Sequence, residues 1–180
     1  MSTKRLFIAI ELPSESKAAL SGLDPHLPGL RWLPPEQIHL TLSFLGDVES
    51  AKQIILTEAL STVRVPSFFL PLKGVGAFNI CGSPSVVWVG VGKGHPHLFA
   101  LHKRIQDAVL HAGLEPDLKP FIPHVTVGRA KGISKDALHP FLRKHRETQF
   151  DLFHVGEFVL FSSSLMSDGA IHHVEFRVML

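Results

Sequence analysis

The chain is expected to fold as an α+β domain. Strand and helix patterns alternate unevenly with runs of strands, no low-complexity tract or linker divides the chain, and one short polar and apolar motif occurs twice. A doubly wound parallel sheet would call for regular strand and helix alternation, which is missing. With 180 residues and 45% hydrophobic side chains, the chain can fill one good-sized core. A single domain over residues 1–180 is therefore expected, with two lobes if the repeated motif reflects duplication.

The elements follow in order. "KRLFIAIEL" (Lys4 to Leu12) is β-branched and aromatic enough for a first strand, and "PSESKAALSGL" has the proline entry and alanine-rich middle of a helix. After "DPHLPG", the paired prolines of "LRWLPPEQ" bar a helix. "IHLTLSFLG" (Ile38 to Gly46) then alternates Ile38, Leu40 and Leu42 against His39, Thr41 and Ser43, as a half-buried strand does. Val48 to Val63 places Ala51, Ile54, Ile55, Ala59, Leu60 and Val63 at helical spacing.

"SFFLPLKGVGAF" and "PSVVWVGVG" read as two further strands able to pair with each other. Pro96 opens a long helix through Leu98, Leu101, Ile105, Ala108 and Val109, with Gly113 as its C-terminal cap. "PHVTVGR" (Pro123 to Arg129) is a short strand, and "SKDALHPFLRKH" a helix interrupted by Pro140. "TQFDLFHV", "EFVLFSSSL" and "HHVEFRVML" are late strand candidates.

Composition narrows the function classes. No apolar run approaches the roughly 18 to 20 residues needed to cross a bilayer, and the apolar stretch of "MSTKRLFIAIELP" is too short for a secretory signal. A cytoplasmic protein without membrane contact is expected. The single cysteine, Cys81, rules out an internal disulfide and any zinc site built on two or more thiolates. A net charge of +2 tilts the chain mildly towards anionic partners. Twelve histidines are the unusual feature.

One histidine on a strand is ordinarily an edge-of-core residue with a satisfied ring nitrogen. "IHLTL", however, has an echo in "PHVTV", with the order histidine, apolar, threonine, apolar. Strand alternation puts His39 with Thr41 and His124 with Thr126 on one face, and sends Leu40, Leu42, Val125 and Val127 to the core. Two imidazoles across one groove can act together as general base and general acid, each worth about 10² to 10⁴ in rate. Such a pair suits hydrolysis or transfer of a phosphodiester without metal. No Walker-type loop, magnesium-holding carboxylate cluster or nucleophile elbow occurs. His95, His97 and His102, or His172 with His173, lack companion ligands at metal spacing, so no metal and no cofactor are expected.

With "LFIAIELP" at the front, "PPEQIHLTLSFLGDV" around the first motif, and "VVWVGV" and "EFVLFSSSL" later, the chain resembles the two-histidine (2H) phosphoesterase superfamily over nearly its whole length. Within it the resemblance is to the RNA 2′,3′-cyclic phosphodiesterases, historically called 2′-5′ RNA ligases. The resemblance implies a bilobal duplicated fold in which two antiparallel-rich sheets flank a central cleft with helices outside. It also implies hydrolysis of a 2′,3′-cyclic phosphate, on RNA ends or nucleotides, to a 2′-phosphate by a monomer. His39 and His124 are then the catalytic pair, Thr41 and Thr126 hold the non-bridging oxygens, and Phe44 and Arg129 sandwich the base. His124 is taken as proton acceptor and His39 as donor to the 3′ oxygen, although the two motifs are alike in sequence.

Three points stay open on sequence alone. Phe44 and Arg129 lie five residues after their histidines, and strict alternation sends them to the core face. Either each strand ends or bulges before them, or Phe44 is core. From Arg129 to Arg146 the cations Arg129, Lys131, Lys135, Arg143, Lys144 and Arg146 face only Asp136, which fits an RNA-backbone groove or a solvated helix face. Many relatives carry a tyrosine in the last strand, where this chain has "AIHHVEFRV", so that ring's contact is lost or passes to His172. The rival activities are 2′-5′ end joining of RNA and non-catalytic binding of RNA or nucleotide.

Overall fold

The computed structural model describes residues 3–80, 83–92, 95–117, 119–166 and 169–180. Cys81 lies outside them. Strand β1 (Thr3–Glu11) leads into helix α1 (Ser14–Ser21), a short strand β2 (Leu30–Trp32) and the long strand β3 (His39–Glu49). Helix α2 (Ser50–Ser61), strands β4 (Phe68–Leu70), β5 (Leu72–Ile80) and β6 (Ser83–Val91), and helix α3 (Pro96–His111) follow. The chain ends with β7 (His124–Ala130), α4 (Lys135–His145), β8 (Phe153–Val155), β9 (Glu157–Met166) and β10 (Gly169–Met179). It is α+β, and every strand pairing described is antiparallel.

The main sheet runs β10-β9-β1-β3-β7-β6-β5, with β2 also on β7, while β4 and β8 pair apart from it. Where the resemblance implies two separate antiparallel sheets, the strands form one continuous eight-stranded sheet whose path has two halves. One half ends at β3, the other begins at β7, and a single register pair among the described residues, Leu40 with Val125, joins them. Both side chains are fully buried.

"LFIAI" is apolar at every position because β1 is buried on both faces. Leu6, Ile8 and Ile10 join Leu40, Leu42, Val125 and Val127 in the main core, which the helices complete with Leu20, Leu56, Leu60, Leu98, Leu101, Ile105 and Leu138. Phe7 and Ala9 point the other way, into a small cluster with Val159 and Phe161. The helices thus cover one face, and the alternate side chains of β1, β3 and β7 turn to the other.

Several local expectations change. "SFFLPLKGVGAF" is not one strand: it breaks at Pro71, which has no N–H to continue a ladder, and the piece before it pairs with β8. Val48 remains in β3, and α2 buries Leu56 and Leu60 while Ile54 and Ile55 are exposed. Pro140 does not interrupt α4, which runs through it from Lys135 to His145. The paired prolines exclude an α-helix, yet Pro34 and Pro35 open one 3₁₀ turn over Pro35–Gln37, because proline suits a first helical position. Gly113 caps α3 as expected, at φ +67°.

The seam between the halves should dominate stability. Leu40→Ala is expected to cost about 2 to 5 kcal/mol in urea unfolding. Phe44→Ala, at a side chain 65% exposed on the same strand, should stay within about 0.5 kcal/mol.

Candidate active site

The seam brings the two motifs together. Extending the antiparallel pair Leu40 and Val125 by one residue each way sets His39 opposite Thr126 and Thr41 opposite His124. The two histidines are diagonal neighbours, a relation that leaves about 7 to 8 Å between positions in a regular ladder. All four polar side chains are partly buried, and Leu40, Leu42, Val125 and Val127 are fully buried between them.

The two strands then depart from alternation in the same way. On β3, Thr41 pairs with Ala9 but Ser43 with Ile8, so Leu42 is an extra residue. On β7, Thr126 pairs with Trp88 but Gly128 with Val87, so Val127 is extra. Each strand carries a bulge three residues after its histidine, with two consecutive buried residues. The phase change returns Phe44 and Arg129 to the histidine side. Both are exposed, so Phe44 is not core. Its ring lies 6.1 Å from that of Phe7, which in turn is 4.9 Å from the His39 ring. Ser43, buried by the bulge, accepts a hydrogen bond from Gln106 Nε2 at 3.2 Å.

Each imidazole rests on an aromatic floor supplied by its own half of the sheet. His39 touches Phe7 and, edge-on at 5.3 Å, His172, with Phe161 at 6.4 Å. His124 meets Phe78 edge-on at 4.9 Å and Trp88 at 6.4 Å. His124 Nδ1 lies 2.7 Å from the Ile122 carbonyl. A carbonyl can only accept, so Nδ1 carries the proton and Nε2 is left for a ligand. His39 is likewise bonded to the backbone of Gln37, two residues before it.

Electrostatics single out the surroundings of His39. Burial first, then His172, Lys17 and Arg129, push the His39 pKa from 6.5 down to about 3, against a smaller opposing effect of the Gln37 backbone bond. His39 is therefore neutral at pH 7 in the ligand-free protein. The same cations make its surroundings favourable to an anion, and the influence of Arg129, from the second half, places that guanidinium within electrostatic reach of the first half's histidine. Burial and His173 lower the His172 pKa as well, and its buried Nδ1 has no hydrogen-bond partner among the described residues.

His172 thus sits beside His39, where the sequence suggested it could take over a missing ring's contact. The other histidine groups have packing partners: His95 and His97 stack on Phe68, and His102 on Phe121 at 3.9 Å. Among the described residues no three His, Cys, Asp or Glu side chains are grouped to hold a metal. Trp88 and Phe78 escaped notice in the sequence. Trp88 stands between Val87 and Val89 like any strand aromatic, and only its pairing with Thr126 reveals which face it serves.

Two matched strand motifs presenting histidine and threonine on one face are the arrangement implied by the resemblance to the two-histidine phosphoesterases. Solved structures support that class. A crystal structure of Escherichia coli LigT complexed with 3′-AMP superposes with a TM-score of 0.83 at 26% identity, covering 99% of each chain. The family model described as the 2′-5′ RNA ligase superfamily matches residues 13–164, and the chain belongs to that superfamily. Similar relatives include the RNA 2′,3′-cyclic phosphodiesterase of Aquifex aeolicus (strain VF5), 35% identical over 80% of this chain and 78% of its own. That of Archaeoglobus fulgidus is 33% identical over 93% of this chain and 96% of its own.

A neutral His39 has a measurable signature. In NMR titration its ring should stay uncharged from pH 8 down past the usual value of 6.5, and His172→Phe should move the midpoint upward by removing a neighbour that opposes its charge. Because the unfolded chain then binds a proton that the folded one does not, stability should fall as pH drops from about 6.5 towards about 3. A His39 midpoint at its ordinary value would contradict this.

Proposed function

We propose that the protein hydrolyses 2′,3′-cyclic phosphodiesters at RNA or nucleotide termini to 2′-phosphates, using His39 and His124 as acid and base. The observation that carries this is the diagonal placement of the two histidines across the Leu40 and Val125 pair, each beside a threonine and within one cationic face. The names of the relatives support the same substrate chemistry. The two halves are read as pseudo-symmetric lobes with the shared face as the floor of a cleft. Both histidines come from one chain, so a single copy supplies both and a monomer suffices; the proposed location is the cytoplasm.

The cyclic phosphate carries one negative charge. Placed between the motifs, its non-bridging oxygens meet Thr41 and Thr126. His124, with Nδ1–H tied to Ile122, presents a basic Nε2 that takes a proton from the attacking water. The water oxygen bonds to phosphorus as the bond from phosphorus to O3′ breaks, and His39 gives a proton to O3′. The product is a 2′-phosphate with a free 3′-hydroxyl. His39 is neutral before substrate arrives, so the anion that binds against it is also what makes its protonation favourable: an opposite charge raises a histidine's pKa. Phe44 and Arg129 stack on the terminal base, a contact that tolerates any base.

His39→Ala and His124→Ala should each lower kcat on a 2′,3′-cyclic nucleotide by about 10² to 10⁴ or more while remaining folded by circular dichroism, and EDTA should change nothing. Full activity in either variant would overturn the assignment. Binding without turnover by the wild type would favour a non-catalytic module instead.

The roles of the two histidines separate with a 4-nitrophenyl phosphodiester, whose leaving group needs no proton. It should restore much of the lost rate to His39→Ala and none to His124→Ala. The opposite pattern would exchange the roles.

A further inference from the structure

Trp88 belongs to two places at once. On one side it pairs with Thr126 and lies 6.4 Å from the His124 ring. On the other it lines a groove of about 510 Å³ between α4 and the start of β5, together with Lys73, His139, Arg143, Arg146 and Glu147. The indole lies flat over backbone because Gly76 leaves room: a Cβ there would come within 2.3 Å of the ring. Its Nε1 is buried and has no hydrogen-bond partner among the described residues, a condition that buried donors rarely keep unless a ligand or water completes them.

The groove is cationic. Glu147 is its carboxylate, paired with Lys73 at 2.9 Å and near Arg146 at 4.0 Å, which leaves an excess of positive charge among Lys73, Arg143 and Arg146. All three are exposed and can reach an anion.

We propose that this groove is a second RNA subsite, which holds the phosphodiester backbone upstream of a cyclic end seated at His39 and His124. Resting on the proposed function, it makes the preferred substrate a single-stranded oligoribonucleotide rather than a mononucleotide. Trp88 links the subsites: the part of its ring that lines the groove offers a stacking surface to the base next to the terminal one. Arg143 in the last turn of α4 and Arg146, which caps its C-terminal end, are three residues apart and pair with successive phosphates. Such contacts position the strand without reading its sequence.

The test compares the wild type with Arg143→Glu/Arg146→Glu and with Arg143→Lys/Arg146→Lys. One readout is binding of a labelled, short single-stranded RNA ending in a 2′-phosphate, by fluorescence anisotropy over a range of salt. The other is turnover of a 2′,3′-cyclic mononucleotide. The glutamate pair should weaken RNA binding about tenfold or more and lower the salt slope by about 1.4, the value for two single-strand phosphates, with mononucleotide turnover unchanged. The lysine pair should keep most of the affinity. Unchanged RNA binding in the glutamate pair, or equal losses on RNA and mononucleotide, would overturn the subsite. If the wild type turns over no cyclic substrate, the proposed function fails, and the anisotropy comparison still decides the groove.

Discussion

Leu40 packs against Val125 at the single register pair that, among the described residues, joins the halves of the main sheet, and the geometry of the site follows from that contact. Both side chains are fully buried, so the neighbours on either side must turn to the opposite face. Those neighbours are His39, Thr41, His124 and Thr126. Because the ladder is one pair long, little backbone hydrogen bonding holds β3 to β7. The register is held instead by the apolar core beneath, where a slip of one residue in either strand would bury that strand's histidine and threonine. Apolar packing on one face thereby sets the spacing of the catalytic candidates on the other.

The electrostatics of that face run against stability and in favour of binding. A half-buried ring among Lys17, Arg129 and His172 resists protonation, and the Arg129 charge there gains little from folding, while Lys17 is partnered by Glu11 at 3.6 Å. An anion reverses both costs, neutralising the cations and giving a protonated imidazole a partner. Such conflict between local comfort and placement marks a functional site.

The pairing of motifs was readable because a strand's period of two makes histidine and threonine face mates wherever the chain folds. Phe44 and Arg129 were not placed by that rule, since a bulge inserts one residue and changes the phase. The matching bulges on β3 and β7 depend on partners in β1 and β6 that no local spacing records. Ile54 and Ile55 misled for a related reason: helical periodicity offers more than one apolar stripe, and contact with α3, β3 and β10 selected the one holding Leu56 and Leu60. Trp88 stayed hidden because its importance lies in register, not composition. The long-range return of β10 brings His172 against His39, a proximity that the sequence could only suggest by position.

The seat of Trp88 binds three positions into one mutational unit. A side chain at Gly76 would occupy the space of the indole, and one at Gly90 would press on both the ring and the Lys73 carbonyl. Neither glycine can drift while the tryptophan stays, and replacing the tryptophan first would leave a void over bare backbone. Variation here must pass through paired changes: lineages that keep the indole keep both glycines, and lineages that lose it are free to fill Gly76, while Gly90 stays held by the Lys73 carbonyl. The surface beside His124 can therefore be remodelled in one coordinated step, which makes it a natural place for substrate preference to diverge while the histidines remain.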